Sequence, residues 1–130
     1  MINFFSKYKI IFYSANIVLI FLYLFPGSLI GCFLYNDCKT QPQITRDLPF
    51  ISTNHVFAFV LLSLIAWLTY FRYYNINRVF HYLFFLSIIL EVFHLLIPKR
   101  GFELTDVIGN LLGVVIILIN YKIFKNNYEK

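Results

Sequence analysis

The sequence predicts an all-α integral membrane protein: a bundle of four transmembrane helices, over about residues 10–34, 52–71, 80–97 and 105–124, with both termini in the cytoplasm. Apolar residues make up 60% of the chain and charged ones only 13%, with a mean hydropathy of +0.73. A soluble domain is about half apolar and about a quarter charged. The apolar residues gather into four runs, each near the roughly 20 residues that a helix needs to cross a bilayer. In hydrocarbon only helices and closed barrels satisfy their own backbone groups. The 130 residues leave room for a single domain, 1–130.

The first run, about 10–34, contains Pro26 and Gly27, which kink it or end its regular part before an irregular turn. Residues 35–51 carry Asp37, Lys39, Gln41, Pro42, Thr45, Arg46, Asp47 and Pro49 and read as a polar loop. The second helix covers about 52–71. The third, about 80–97, stops at Pro98. After only residues 99–104, Thr105 or Asp106 caps a fourth helix that runs to about Phe124. Loops this short make successive helices antiparallel, which gives an up-down bundle.

Orientation follows from lysine and arginine, whose excess lies on the cytoplasmic side. With the N-terminus inside, Lys7, Lys9, Arg72, Arg78, Lys122, Lys125 and Lys130 are inside and Lys39, Arg46, Lys99 and Arg100 outside, seven against four. The basic residues sit at the ends of apolar runs, so the net charge of +5 is a topology signal and nucleic acid is not an expected partner. His81, Tyr82, Tyr73, Tyr74 and Arg72 fit the aromatic and basic belt of the inner face and receive no chemistry. Lys7 and Lys9 ahead of an apolar stretch also resemble a secretory signal, and Leu29-Ile30-Gly31-Cys32 resembles a bacterial lipobox ending in a lipidated cysteine. The run is long for a signal core, and a retained first helix is the expected form. Cys32 and Cys38 come without a CxxC pair or a histidine-rich tract, so no metal and no cofactor is expected. An extracytoplasmic loop permits a disulfide between them.

Ionisable residues inside a spanning segment are costly and mark candidate sites. Glu91 lies about 9 Å below the outer end of the third helix at 1.5 Å per residue, and His94 shares its face at i+3. His55 opens the second helix at the same outer level. Lys99, Arg100 and Glu103 follow the third helix, and Asp106 opens the fourth, with Asn110 and Gly113 on its face at i+4 and i+7. Each has a structural reading beside the functional one. Asp106 is explained equally by an N-cap, Asn110 by an interhelical hydrogen bond, Lys99 and Arg100 by snorkelling anchors, and Glu91 by a structural pairing with His94 or Arg100. Gly109 and Gly113 form a GxxxG spacing that serves close helix packing, within the chain or in an oligomer. The convergence of three helices on one depth is a stronger signal than any single residue.

The order His55-Val-Phe-Ala-Phe, Glu91-Val-Phe-His94, Pro98-Lys-Arg100 and Asp106-Val-Ile-Gly-Asn110-Leu-Leu-Gly113 resembles the VanZ-like family of small bacterial membrane proteins over about residues 52–118. The chain departs from the family pattern in having Ile51-Ser-Thr-Asn before the histidine, where an acid and a lysine are usual, and His94 where a glutamine is usual. The resemblance implies a multi-pass protein of the bacterial inner membrane with a role in the cell envelope, linked in some members to glycopeptide resistance. It implies no particular reaction.

Together these readings give a first expectation: an outer-face cluster that binds or processes an envelope lipid, a peptidoglycan precursor or a glycopeptide. Arg100 and Lys99 attract an anionic group, with His94 and Asn110 as further ligand-binding groups. Glu91, His55 and Asp106 are the candidate acid–base residues. The alternative is a non-catalytic scaffold in which the same polar network specifies helix packing. Intramembrane proteolysis lacks its motifs, since no HExxH or GxSxG is present.

Overall fold

The computed structural model describes residues 7, 9–71, 73 and 76–128, and these are helical apart from connecting loops. Five helices occur among them: α1 (Ile10–Leu24), α2 (Leu29–Tyr35), α3 (Thr53–Tyr70), α4 (Ile76–Phe93, extended by a 3-10 turn over His94–Leu96) and α5 (Leu104–Tyr128). α3, α4 with its 3-10 turn, and α5 are each long and apolar enough to cross a membrane, and the bent pair α1–α2 makes up to a fourth crossing. Arg72, Tyr74 and Lys130, part of the basic count and the aromatic belt, lie outside the described residues.

The first apolar run is not one continuous helix. Phe25 precedes Pro26 and is pushed to an extended conformation, φ −70° and ψ 133°, because the proline ring disfavours a helical residue before it. Gly27 then takes φ 95°, and a Cβ there would lie 2.5 Å from the carbonyl oxygen of Cys38. Ser28 restarts the helix by accepting the Gly31 N–H on its hydroxyl at 3.0 Å. As a result α2 leaves at 80° to α1.

A Cys32–Cys38 disulfide and a Ser28 N–H to Cys38 carbonyl bond of 2.8 Å tie the loop back onto this corner. The pairing leaves Cys32 no thiol for a lipid, against the lipobox reading. Farther along, Asn54 donates to the Pro42 carbonyl at 2.7 Å and Asp47 accepts the Thr53 N–H at 2.7 Å, so the polar loop is fastened to the start of α3.

Three other boundaries differ from the sequence expectation, one being the end of α5, at Tyr128 rather than about Phe124. α4 begins at Ile76 rather than about residue 80. α5 begins at Leu104, and the Glu103 carbonyl accepts the Asp106 and Val107 N–H groups at 3.0 and 3.3 Å. Neither Thr105 nor Asp106 is therefore the N-cap. Asp106 sits within the first turn, where an acid still meets the favourable end of the helix dipole.

Contacts fix the directions of the long helices. Ser52 N–H bonds the Thr105 carbonyl at 3.2 Å at one end of the α3–α5 pair, and Trp67 meets Tyr121 and Phe124 at the other, so these two helices run parallel. Phe12 against Tyr70 and Phe80 against Tyr121 make α1 and α4 antiparallel to them. Directions alternate along the chain, yet the most intimate pair is the parallel one. Gly109 and Gly113 explain this: a Cβ on Gly109 would come within 2.5 Å of the Ser52 carbonyl oxygen, and one on Gly113 within 2.7 Å of the Val56 carbonyl and 2.8 Å of Phe59 Cβ. The small-residue stripe is taken up by the chain's own α3 and is not free for a second copy. Phe59, Leu62, Leu83, Leu90 and Val114 fill the core, while Ile17, Phe21, Phe85 and Ile119 point outward, the distribution expected where the surroundings are apolar.

Candidate functional site

Because α3 and α5 are parallel and in close contact, their first turns lie side by side. This brings His55 Nε2 to 3.3 Å from Asp106 Oδ2. One turn deeper on α5, Asn110 is fully buried and joins three helices. Its amide nitrogen donates to the Ser87 carbonyl of α4 at 3.1 Å, while its oxygen accepts from Tyr23 of α1 at 2.8 Å and lies 3.1 Å from His55 Nδ1 on α3. The Ser87 carbonyl can only accept, so it fixes which way round the amide sits. The Tyr23 hydroxyl lies 3.2 Å from Nδ1 as well; with its own proton given to Asn110, both oxygens face Nδ1 as acceptors, so a proton on Nδ1 suits both and Nε2 is the nitrogen turned to Asp106.

α4 supplies the second acid–histidine pair. Glu91 is fully buried, its Oε1 accepts the Glu103 N–H at 2.9 Å, and its Oε2 lies 3.1 Å from His94 Nδ1. That approach is off the line of an N–H donor, so Oε2 has a close neighbour without a hydrogen bond. The other nitrogen of His94 donates to the Tyr23 carbonyl at 2.9 Å, and its ring stacks on that of Tyr23. The i+3 relation expected from the sequence therefore does bring Glu91 and His94 together.

Arg100 serves the break in the first run. Its Nε and Nη2 donate to the carbonyls of Phe25 at 3.3 Å and Gly27 at 2.6 Å. The last carbonyls of a helix have no partner within it; that of Tyr23 finds His94, while Phe25 at the C-cap and Gly27 in the break find Arg100. Arg100 makes no ion pair with Glu91 or Asp106 among the described residues. Lys99, in the left-handed region at φ 66°, is exposed beside it.

Two cavities of opposite character meet here. A polar cleft of about 240 Å³ is lined by Lys39, Asp47, Lys99, Glu103 and Asp106 among others, with His94 at its edge. An apolar cavity of about 360 Å³ lies against Leu22, Leu29, Ile30, Phe57, Ala58 and Leu61. His55, Arg100, Ser28, Gln41 and Asn54 line both. Glu91 and Asn110 line neither and stand behind the histidines. Of the residues expected to meet a ligand, His55, Asp106, His94, Lys99 and Arg100 border the cleft, and one ligating atom each of His55, Glu91 and Asp106 lie within 4.8 Å of one another.

The residue missed from sequence is Tyr23. It contacts His55, Asn110 and His94, yet it is one of ten tyrosines in an aromatic-rich chain and carries no local signal. In the exposed loop, Asp37 accepts from the Thr40 hydroxyl at 2.6 Å and the Lys39 N–H at 2.9 Å, which hold its carboxyl below the usual carboxylate range. Set against protein-family models, curated proteins and solved structures, the chain matches none.

Proposed function

We propose that this is a multi-pass protein of the bacterial inner membrane, of VanZ-like type, that binds an amphiphilic molecule of the cell envelope at its outer face. In this reading four crossings put both termini in the cytoplasm and the His55–Asp106 end outside. The lysine and arginine count supports that orientation. So does the Cys32–Cys38 disulfide at the same end, since disulfides persist on the oxidising side of the membrane.

One observation carries the ligand class: the apolar cavity and the polar cleft share His55 and Arg100. A lipid-linked precursor or a glycopeptide with an acyl tail would place its hydrocarbon against Phe57, Ala58 and Leu61. Its anionic group would meet Lys99 and the guanidinium N–H groups of Arg100 that the Phe25 and Gly27 carbonyls leave over. The His55–Asp106 pair would then stand at the head group, with Nδ1 anchored on Asn110 and Nε2 turned toward Asp106. Glu91 would stand behind the two histidines rather than meet the ligand itself. The alternative, a packing network without a ligand, is favoured by Asn110 alone, which ties three helices together.

Native mass spectrometry of the full chain in detergent with a polyprenyl phosphate tests the reading. Wild type is expected to retain the lipid. Ala58→Phe, which fills the apolar cavity, and Lys99→Ala, which removes a rim charge, are expected to lose it while melting normally. Equal retention by wild type and Ala58→Phe would overturn the proposal.

A further inference from the structure

The pair His55–Asp106 needs a cation between its facing atoms, either a proton or a metal ion. With the Nδ1 proton directed to Asn110, a neutral imidazole turns the Nε2 lone pair toward a carboxylate oxygen 3.3 Å away. Two acceptors at that distance repel unless a cation is shared between them. The same separation is what two ligands of one zinc ion have, since bonds of about 2.0 Å at a tetrahedral angle set ligand atoms roughly 3.3 Å apart.

Glu91 is a second, independent pointer. It is fully buried, its Oε2 has no hydrogen-bond partner among the described residues, and a ligating oxygen of Glu91 lies within 4.8 Å of those of His55 and Asp106. Two carboxylates, one wholly buried and one with a side chain 16% exposed, are costly so close together without compensating charge. Arg100, a permanent cation in the same cleft, is directed to the Phe25 and Gly27 carbonyls instead. One dication balances both acids.

We propose that His55, Glu91 and Asp106 form a binding site for a single divalent transition-metal ion, zinc by its ligand set of one imidazole and two carboxylates. Three protein ligands with a further position open are the arrangement of a reactive rather than a purely structural zinc. His55 and Asp106 border the polar cleft and Glu91 stands behind them, so the open position faces the cleft. The outer partners are those that a metal-bound histidine requires: Asn110 accepts from His55 Nδ1 and is itself oriented by Ser87 and Tyr23, and the Glu103 N–H orients Glu91. An ion there would offer the cleft a Lewis acid for a phosphate oxygen or a bound water. The site uses the cleft of the preceding proposal, but zinc is measured with no lipid present, so either proposal can fail while the other stands.

The test uses the untagged full chain in detergent, stripped with a chelator and titrated with Zn2+ alone against a competing chelating dye. About one zinc per chain is expected. His55→Gln and Asp106→Asn are each expected to weaken binding by at least 100-fold, Asn110→Ala by roughly 10–100-fold, and Lys122→Ala, exposed near the far end of α5, not at all, with helical circular dichroism read for each variant. Should a ligand variant fail to fold, Co2+ added to the wild type gives the independent readout: the intense visible bands of a low-coordinate site are expected. Zinc binding by wild type no tighter than by Asp106→Asn, or a cobalt spectrum like that of the aqueous ion, would overturn the site.

Discussion

The two ends of the bundle are built on different principles. At the end where α3 and α5 begin, His55, Glu91, His94, Asn110 and Tyr23 are buried and linked by directed contacts. At the other end Trp67, Phe71, Phe80, Tyr121 and Phe124 meet as rings, mostly edge to face, with centroids 5.4–6.4 Å apart. Toward that end the hydroxyls of Ser63 and Thr69 and the Trp67 indole nitrogen are buried without a hydrogen-bond partner among the described residues. Ring packing tolerates small shifts because it is only weakly directional. Hydrogen bonds to buried groups do not, since a misplaced partner leaves a costly unpaired atom. The polar end is thus the part of the molecule with one specified geometry, as a binding site requires.

The sharpest way to break this contrast is Gly113→Leu. Its side chain would collide with Val56 and Phe59 and part the α3–α5 pair that brings His55 to Asp106, and a loss of about 3 kcal/mol in reversible unfolding is expected. Asn110→Leu comes next, with an expected loss of about 2 kcal/mol, because the Ser87 carbonyl and the Tyr23 hydroxyl lose their partner. A melting temperature equal to wild type would show that the network at the polar end carries no stability. At the opposite end the sign should reverse: Thr69→Val removes an unpartnered buried hydroxyl at nearly constant shape, and a gain of up to about 1 kcal/mol is expected by the same measurement.

The smallest effect belongs to Asp37, in the loop beside the site. A carboxyl whose folded value is depressed adds stability that is present above its unfolded value of about 3.9 and is lost as pH falls through the folded value. Carbon-13 NMR of the carboxyl should therefore place its midpoint below about pH 3.9, and Thr40→Val should raise it. An unmoved midpoint in that variant would rule out the Thr40 hydroxyl as the cause.

Much of this is legible in the amino-acid sequence, and for identifiable reasons. Helical spacing alone puts His94 on the face of Glu91 and Asn110 beneath Asp106, and ionisable groups in apolar runs are conspicuous. The role of Arg100 was not legible. A guanidinium near two acids suggests an ion pair, but its partners are backbone carbonyls, which no sequence pattern advertises. The bent course of α2 was half legible: Pro26 and Gly27 foretell a break, whereas the 80° turn goes with a disulfide and contacts with Cys38. The parallel α3–α5 contact follows from two glycines whose spacing was noticed but whose partner helix was not identifiable from one strand of sequence.

The clasp of Arg100 on Phe25 and Gly27 also sets a timetable for biosynthesis. Its partners are 75 and 73 residues apart in the chain, so at about 5–20 residues per second the early carbonyls wait roughly 4–15 s for the guanidinium to be made. His94, which serves Tyr23, arrives only slightly sooner, 71 residues later. The α1–α2 corner can be tied locally by Ser28, Cys32 and Cys38, yet a nascent chain halted before residue 94 still holds the Tyr23, Phe25 and Gly27 carbonyls without these side-chain partners.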